Sequence, residues 1–187
     1  IERDIPFYGV TGGVTLSGGE CTASPEFSLS VLSACRERGI HTAIETCLYA
    51  SESVMRRFAK EADSIIADIK LMDPKRHRLA TGVDNALILK NFAYLAANKK
   101  HLLIRIPLIP GYTADEENIT AIAYHIASVN REVPVELINF NPLCKGKYET
   151  LRKPFIENAP SSPLPKETMI RLSKVVSGYG LRVINQI

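Results

Sequence analysis

Ser64-Ile65-Ile66-Ala67-Asp68-Ile69-Lys70 is the stretch on which the fold turns. It is apolar along most of its length, as a strand inside a parallel sheet is, and it turns charged only at its carboxyl end. By the two-residue strand period Ile65, Ala67 and Ile69 share one face, while Asp68 and Lys70 share the other.

The same arrangement recurs on either side. In His41 to Thr46, Thr42 and Ile44 oppose Glu45; in Leu102 to Pro107, Leu102, Ile104 and Ile106 oppose Arg105. Further short strands are predicted at Val14 to Ser17, Val135 to Asn139 and Arg182 to Ile184. Amphipathic helices lie between them, so the chain reads as an α/β protein with a parallel sheet and helical crossovers. Ser24-Pro25 opens the first helix and Gly39 stops it; Ser51 caps the next; Asp84 or Asn85 caps a third. Thr113 with Glu116 reads as a capping box, and Pro165 starts a last helix that ends at Gly178 or Gly180. Residues 144–163, with Pro154, Pro160 and Pro163 and no periodicity, read as a long irregular surface loop. The expectation is one domain over 1–187, without an internal repeat.

Composition narrows the function. The chain has 187 residues, 23 Lys+Arg and 20 Asp+Glu, a balance too even to argue for a nucleic-acid partner. No long apolar run or basic-then-apolar leader is present, so no membrane association is expected and the cytoplasm is the expected compartment. Cys21, Cys35, Cys47 and Cys144 stand 14, 12 and 97 positions apart, which fits neither a compact disulfide framework nor a zinc site.

The strand-end charges follow a rule: Glu45, Asp68, Lys70 and Arg105 all lie toward the carboxyl ends of their strands, the edge where α/β sheets and barrels build their sites. Buried charges must pair, meet water or bind a ligand, and internal ion pairs are the plain structural alternative. Ahead of them, Gly12-Gly13-Val14-Thr15-Leu16-Ser17-Gly18-Gly19-Glu20 is a glycine-rich turn that exposes backbone polar groups. It carries neither a P-loop lysine nor the dinucleotide fingerprint, and its carboxylate suits an ammonium ligand.

Gly12 to Glu20, Gly39 to Thr46, Ala67-Asp68-Ile69-Lys70, Arg105 to Tyr112 and Pro165 to Met169 together resemble, in order, the glycyl-radical-enzyme activating enzymes of the radical S-adenosylmethionine superfamily, among them the pyruvate formate-lyase activating enzyme. The resemblance implies a partial (β/α) barrel holding S-adenosylmethionine and a 4Fe-4S cluster. The cluster's electron cleaves the sulfonium, and the resulting 5'-deoxyadenosyl radical takes a hydrogen from a glycine of a pyruvate formate-lyase-like partner enzyme. It also implies an electron donor such as flavodoxin or ferredoxin.

By position, the resemblance assigns Gly18, Gly19 and Glu20 to the methionine ammonium group, Asp68 and Lys70 to S-adenosylmethionine, and Arg105 to the cofactor or the partner's glycine loop. Lys70 and Arg105 are thus the catalytic candidates. Asn141 stands where some relatives contact adenine through a histidine. Glu45, Thr46 and Asp68 occupy the places of a monovalent cation site whose acidic residue in those relatives is the shorter Asp.

The family ligates its cluster through Cys-x3-Cys-x2-Cys, and no cysteines here have that spacing. The chain, which opens Ile1-Glu2-Arg3-Asp4, is therefore expected to be the carboxyl-terminal portion of such an enzyme, truncated ahead of its first strand and inactive alone. Cys21 is expected to be a structural thiol, and the strand containing Thr15 an exposed edge through which the chain self-associates. Two other functions fit parts of the pattern: a Schiff-base aldolase using Lys70, and a cluster-free module that binds S-adenosylmethionine or the partner.

Overall fold

The structure, a computed structural model, describes residues 1–10, 12–99, 101–152 and 160–184. Five strands form one parallel sheet: β1 (Val14–Leu16), β2 (Thr42–Thr46), β3 (Ser64–Asp68), β4 (Leu102–Leu108) and β5 (Val135–Asn139). Their spatial order is their chain order, β1-β2-β3-β4-β5. Parallel strands that advance one place at a time through right-handed crossovers set every helix on the same side, as in a (β/α) barrel.

The crossovers are α1 (Pro25–Glu37), α2 (Glu52–Glu61), the pair α3 (Pro74–Thr81) and α4 (Ala86–Asn98), and α5 (Glu116–Val129); α6 (Cys144–Thr150) and α7 (Lys166–Gly178) follow β5. α1 packs on α2, α2 on α4, α4 on α5 and α5 on α7, a continuous outer layer. Between this layer and the sheet lies the core, with Ile44, Ile65, Ile104 and Leu137 meeting Met55, Phe58, Phe92, Ile122 and Leu172. Each such residue stabilises the fold by about 1.5–3 kcal/mol relative to an exposed one. The opposite, inner face carries Glu45, Asp68, Arg105 and Glu136, in the alternation expected from sequence.

Local chemistry explains the element ends. Ser51 Oγ accepts from Val54 N at the start of α2, and Asp73 Oδ1 from Arg76 N at the start of α3. Gly39 and Gly82 take left-handed φ of 67° and 87° just past α1 and α3, where a side chain would be strained. Gly13 is required for a different reason: a Cβ there would lie 2.1 Å from the His41 carbonyl oxygen, so only glycine lets β1 start against β2.

Three expectations change. Asp115, not Thr113, caps α5, accepting from Asn118 N at 2.9 Å. Thr113 instead turns inward and bridges the Pro107 carbonyl and the Ile109 amide. Residues 144–150, expected as loop, form α6; Pro154 lies outside the described residues. The last strand, expected at Arg182 to Ile184, is a single bridge from Val183 to Val135 among the described residues. Its neighbour Leu181 is buried and holds the segment against the core.

Candidate functional site at the carboxyl ends of the strands

Glu20 is the keystone of the loop after β1. Its Oε1 accepts from the hydroxyls of Thr46 (2.7 Å) and Thr22 (2.8 Å) and from the Thr22 amide, and its Oε2 accepts from the Cys47 amide (2.8 Å). Burial pushes its pKa up, but the Cys47, Thr46 and Thr22 donors outweigh burial and hold the carboxyl below its usual range. Glu20 thus keeps a charge that no cation pairs with among the described residues, and it ties the glycine loop to the end of β2. Gly18, at φ 104°, and Gly19 precede it; a Cβ at either would meet nothing within 4 Å, so this backbone is open to close approach.

On the inner face, Arg105 bridges two carboxylates: Nη1 lies 2.5 Å from Glu45 Oε1 and Nε 2.6 Å from Glu136 Oε2. The arginine reaches across β3, because Asp68 and not Glu45 is its register neighbour. Ser17 Oγ donates to the other oxygen of Glu45 at 2.5 Å. That hydroxyl, and then Arg105, lower the Glu45 pKa against the opposing effect of burial. Beside this unit Lys70 Nζ pairs with Asp68 Oδ2 at 2.9 Å.

The sequence reading placed Glu45, Asp68, Lys70 and Arg105 together, and they do share this face, largely as ion pairs. It missed Glu136, although the strand period that set Glu45 opposite Ile44 sets Glu136 opposite Val135 and Leu137 just as directly. The cation-site positions have separate partners: Glu45 holds Ser17 and Arg105, Asp68 holds Lys70, and Thr46 holds Glu20. Asn141 is exposed past the end of β5 and accepts from the Leu143 amide. Lys70 sits in an ion pair rather than in the apolar pocket that activates a Schiff-base lysine.

Buried asparagines that sequence reading did not single out for this role hold the rim. Asn91 donates to the Leu48 and Ala50 carbonyls, Asn85 to Leu71 and Met72, and Asn118 to Lys70 and Thr113. Each reaches from a helix, or for Asn85 from the residue just before one, to a segment leaving a strand end. Leu48 needs its clamp, for it is a fully buried residue at φ 62°, a left-handed conformation costing about 1–2 kcal/mol. At the opposite edge, the small inner side chains Thr15, Ala43 and Ser64 leave a cavity of about 600 Å³, away from the charged groups.

Residues 1–122 match the radical SAM superfamily. The chain belongs to that superfamily. A choline trimethylamine-lyase activating enzyme from Oleidesulfovibrio alaskensis is 38% identical over 155 residues, which cover 81% of this chain and 50% of that enzyme. An isethionate sulfite-lyase activating enzyme of the same organism is 39% identical over 182 residues, 95% of this chain and 57% of that enzyme. The crystal structure of a domain of a pyruvate-formate lyase-activating enzyme from Bacteroides vulgatus superposes with a TM-score of 0.74 at 31% identity, covering 91% of this chain and 96% of that one. The chain spans about half the length of the curated relatives it matches.

Membership in the radical SAM superfamily implies S-adenosylmethionine and a 4Fe-4S cluster, and the residues here fit the two unequally. The open Gly18-Gly19 backbone beside an uncompensated carboxylate fits a cationic amino-acid head. The thiols do not fit a cluster. Among the described residues no three His, Cys, Asp or Glu side chains gather as metal ligands. The Cys21 thiol is buried, donates to the Glu45 carbonyl, and is pushed up to about 12 by burial and the Glu20 charge. It is a structural thiol, as expected, since a cluster takes thiolates. No helix among the described residues is long and apolar enough to cross a membrane.

Proposed function

We propose that this chain is the S-adenosylmethionine-binding part of a glycyl-radical-enzyme activating enzyme. The observation that carries this reading is the open Gly18-Gly19 turn, set by Glu20 at the mouth of a barrel-type sheet whose inner face ends in paired charges. The named relatives support the class, since their own names make them activating enzymes of two different lyases, a choline trimethylamine-lyase and an isethionate sulfite-lyase.

In this reading Gly18 and Gly19 present main-chain groups to the amino-acid head, and Glu20 supplies a fixed negative charge. Lys70, oriented by Asp68, meets the carboxylate side of the ligand. Arg105, held by Glu45 and Glu136, faces the space where the partner's glycine segment enters. A bound 4Fe-4S cluster would supply the electron for cleavage of the sulfonium bond, on thiolates that the cysteine spacing of this chain does not provide. Flavodoxin or ferredoxin is the electron donor, the cytoplasm the compartment, and a pyruvate formate-lyase-like enzyme the partner.

The test uses the full-length enzyme with S-adenosylmethionine, reductant and a glycyl radical enzyme from the same genome. A glycyl radical signal in electron paramagnetic resonance is expected, and its loss in Gly19→Val. Iron and sulfide reconstitution of the present chain alone is expected to give no cluster absorbance. Stoichiometric cluster binding by the chain alone, or no radical with a bound ligand, overturns the reading.

A further inference from the structure

The outer member of the arginine unit is the residue that sequence reading passed over. Glu45 and Glu136 flank one guanidinium, so the unit carries one negative charge in excess. It is joined to the glycine loop, because Ser17, which donates to Glu45, is the residue directly before Gly18. Asp68 and Lys70 cancel, while Glu20 is satisfied by neutral donors alone and adds a second uncompensated charge. On the inner face of the sheet, where Asp68, Arg105 and Glu136 stand level on neighbouring strands, and in the loop after β1, four carboxylates therefore face two cationic side chains among the described residues. A partly buried surface with that excess favours a cation over a neutral molecule of the same shape.

We infer that Glu136 is a specificity-determining residue that lets this mouth distinguish a sulfonium ligand from the corresponding neutral thioether. The inference rests on the S-adenosylmethionine reading above and deepens it. S-adenosylmethionine and S-adenosylhomocysteine differ by one methyl group and one positive charge, so shape separates them poorly and charge separates them well. Arg105 alone would repel a sulfonium; Glu45 neutralises it; Glu136 tips the balance to attraction. A single charge about 10 Å away in an effective dielectric of about 40 changes an ionic affinity about fourfold.

Calorimetry on the full-length, cluster-loaded enzyme, held oxidised so that no sulfonium is cleaved, gives the affinity for both ligands at pH 8. The preference for S-adenosylmethionine over S-adenosylhomocysteine is expected to fall about fourfold in Glu136→Gln, to stay at the wild-type value in Glu136→Asp, and to rise by a similar factor in Arg105→Gln. Glu136→Gln and Arg105→Gln both break an ion pair at the same guanidinium. A purely structural role would weaken both ligands in both variants and leave the preference unmoved. If Glu136→Gln does not fold, the opposite shift in Arg105→Gln carries the test. An unmoved preference in a folded, ligand-binding variant overturns the inference and spares the ligand reading. Wild-type enzyme that binds neither ligand overturns the reading, and the inference with it.

Discussion

Glu20 Oε2 accepts the amide hydrogen of Cys47 at 2.8 Å, fastening the loop after β1 to the end of β2. The same carboxylate takes the hydroxyls of Thr22 and Thr46, both of them buried residues. Removing it in Glu20→Ala strands three sets of donors. The expected cost is about 3 kcal/mol, because buried donors left without acceptors lose the full desolvation penalty. Urea unfolding at pH 7 measures it, and a midpoint equal to wild type would show that the loop is braced by something else.

Acid should destabilise the fold through these carboxylates. Glu20 and Asp63 sit below their usual range because hydrogen bonds, from Cys47 and from Thr42 respectively, outweigh burial. Glu45 and Asp115 are lowered by Ser17 and Arg76. A folded pKa below the unfolded one means that the unfolded chain binds more protons in acid. The stabilisation is therefore complete above about pH 5 and is lost as pH falls through the depressed folded values. Urea midpoints from pH 7 to pH 3 are expected to decline, with a shallower decline in Glu20→Gln. Equal slopes in the two proteins would remove Glu20 from this account.

The strand pattern made the sheet and its charged face legible, because period-2 alternation depends only on neighbours in sequence. Glu45, Asp68 and Arg105 were visible for that reason, and Glu136 was equally visible but unread. What stayed hidden depends on contacts distant in sequence. Nothing near Asn91 says that it will clamp a left-handed Leu48, 43 positions away. Thr113 has the spacing of a cap, yet the partly buried Pro107 carbonyl competes for its hydroxyl and wins, leaving Asp115 to cap α5. The ion pairing of Lys70 and Arg105 was an open alternative in sequence and became a geometry only when register set Arg105 within reach of both β2 and β5.

The thiols should differ in reactivity in an order set by environment. Cys21 and Cys35 are buried, which shields both from a reagent, and Cys21 is also pushed up to about 12, so it presents no thiolate at pH 8. Cys47 is raised too, by burial and by Glu20, whereas Cys144 is partly exposed at the start of α6. Brief maleimide labelling followed by peptide mass mapping is expected to find Cys144 modified first and Cys21 only after unfolding. Early labelling of Cys21 would contradict its burial.

β1 pairs with β2 along one edge, and no described strand covers its other edge. Three residues of open backbone, Val14 to Leu16, can therefore accept a strand from a second copy of the chain. Sedimentation velocity of this chain should show a weight-average mass that rises with concentration. Replacing Thr15 by proline, which removes a ladder donor, should reduce the rise. A single monomeric boundary at high concentration would rule the edge out as a contact.

Asn118 offers the sharpest test of how the rim is held. Its Oδ1 accepts from the Met72 amide at 3.0 Å, and its Nδ2 donates to the Lys70 and Thr113 carbonyls at 2.9 Å each. Asn118→Ala loses all three bonds, at an expected cost of about 3 kcal/mol. Asn118→Asp keeps the shape and the acceptor, but at neutral pH it turns a carboxylate toward two carbonyl oxygens. It should therefore be less stable than the alanine variant, despite the smaller change in volume. Its folded pKa is expected above the unfolded value, so its deficit relative to wild type should shrink as pH falls toward about 4, where the group takes up a proton and regains one donor. Denaturation of the three proteins at pH 7 and at pH 5 decides the matter: if aspartate is tolerated better than alanine at neutral pH, the carbonyls of Lys70 and Thr113 do not depend on this amide.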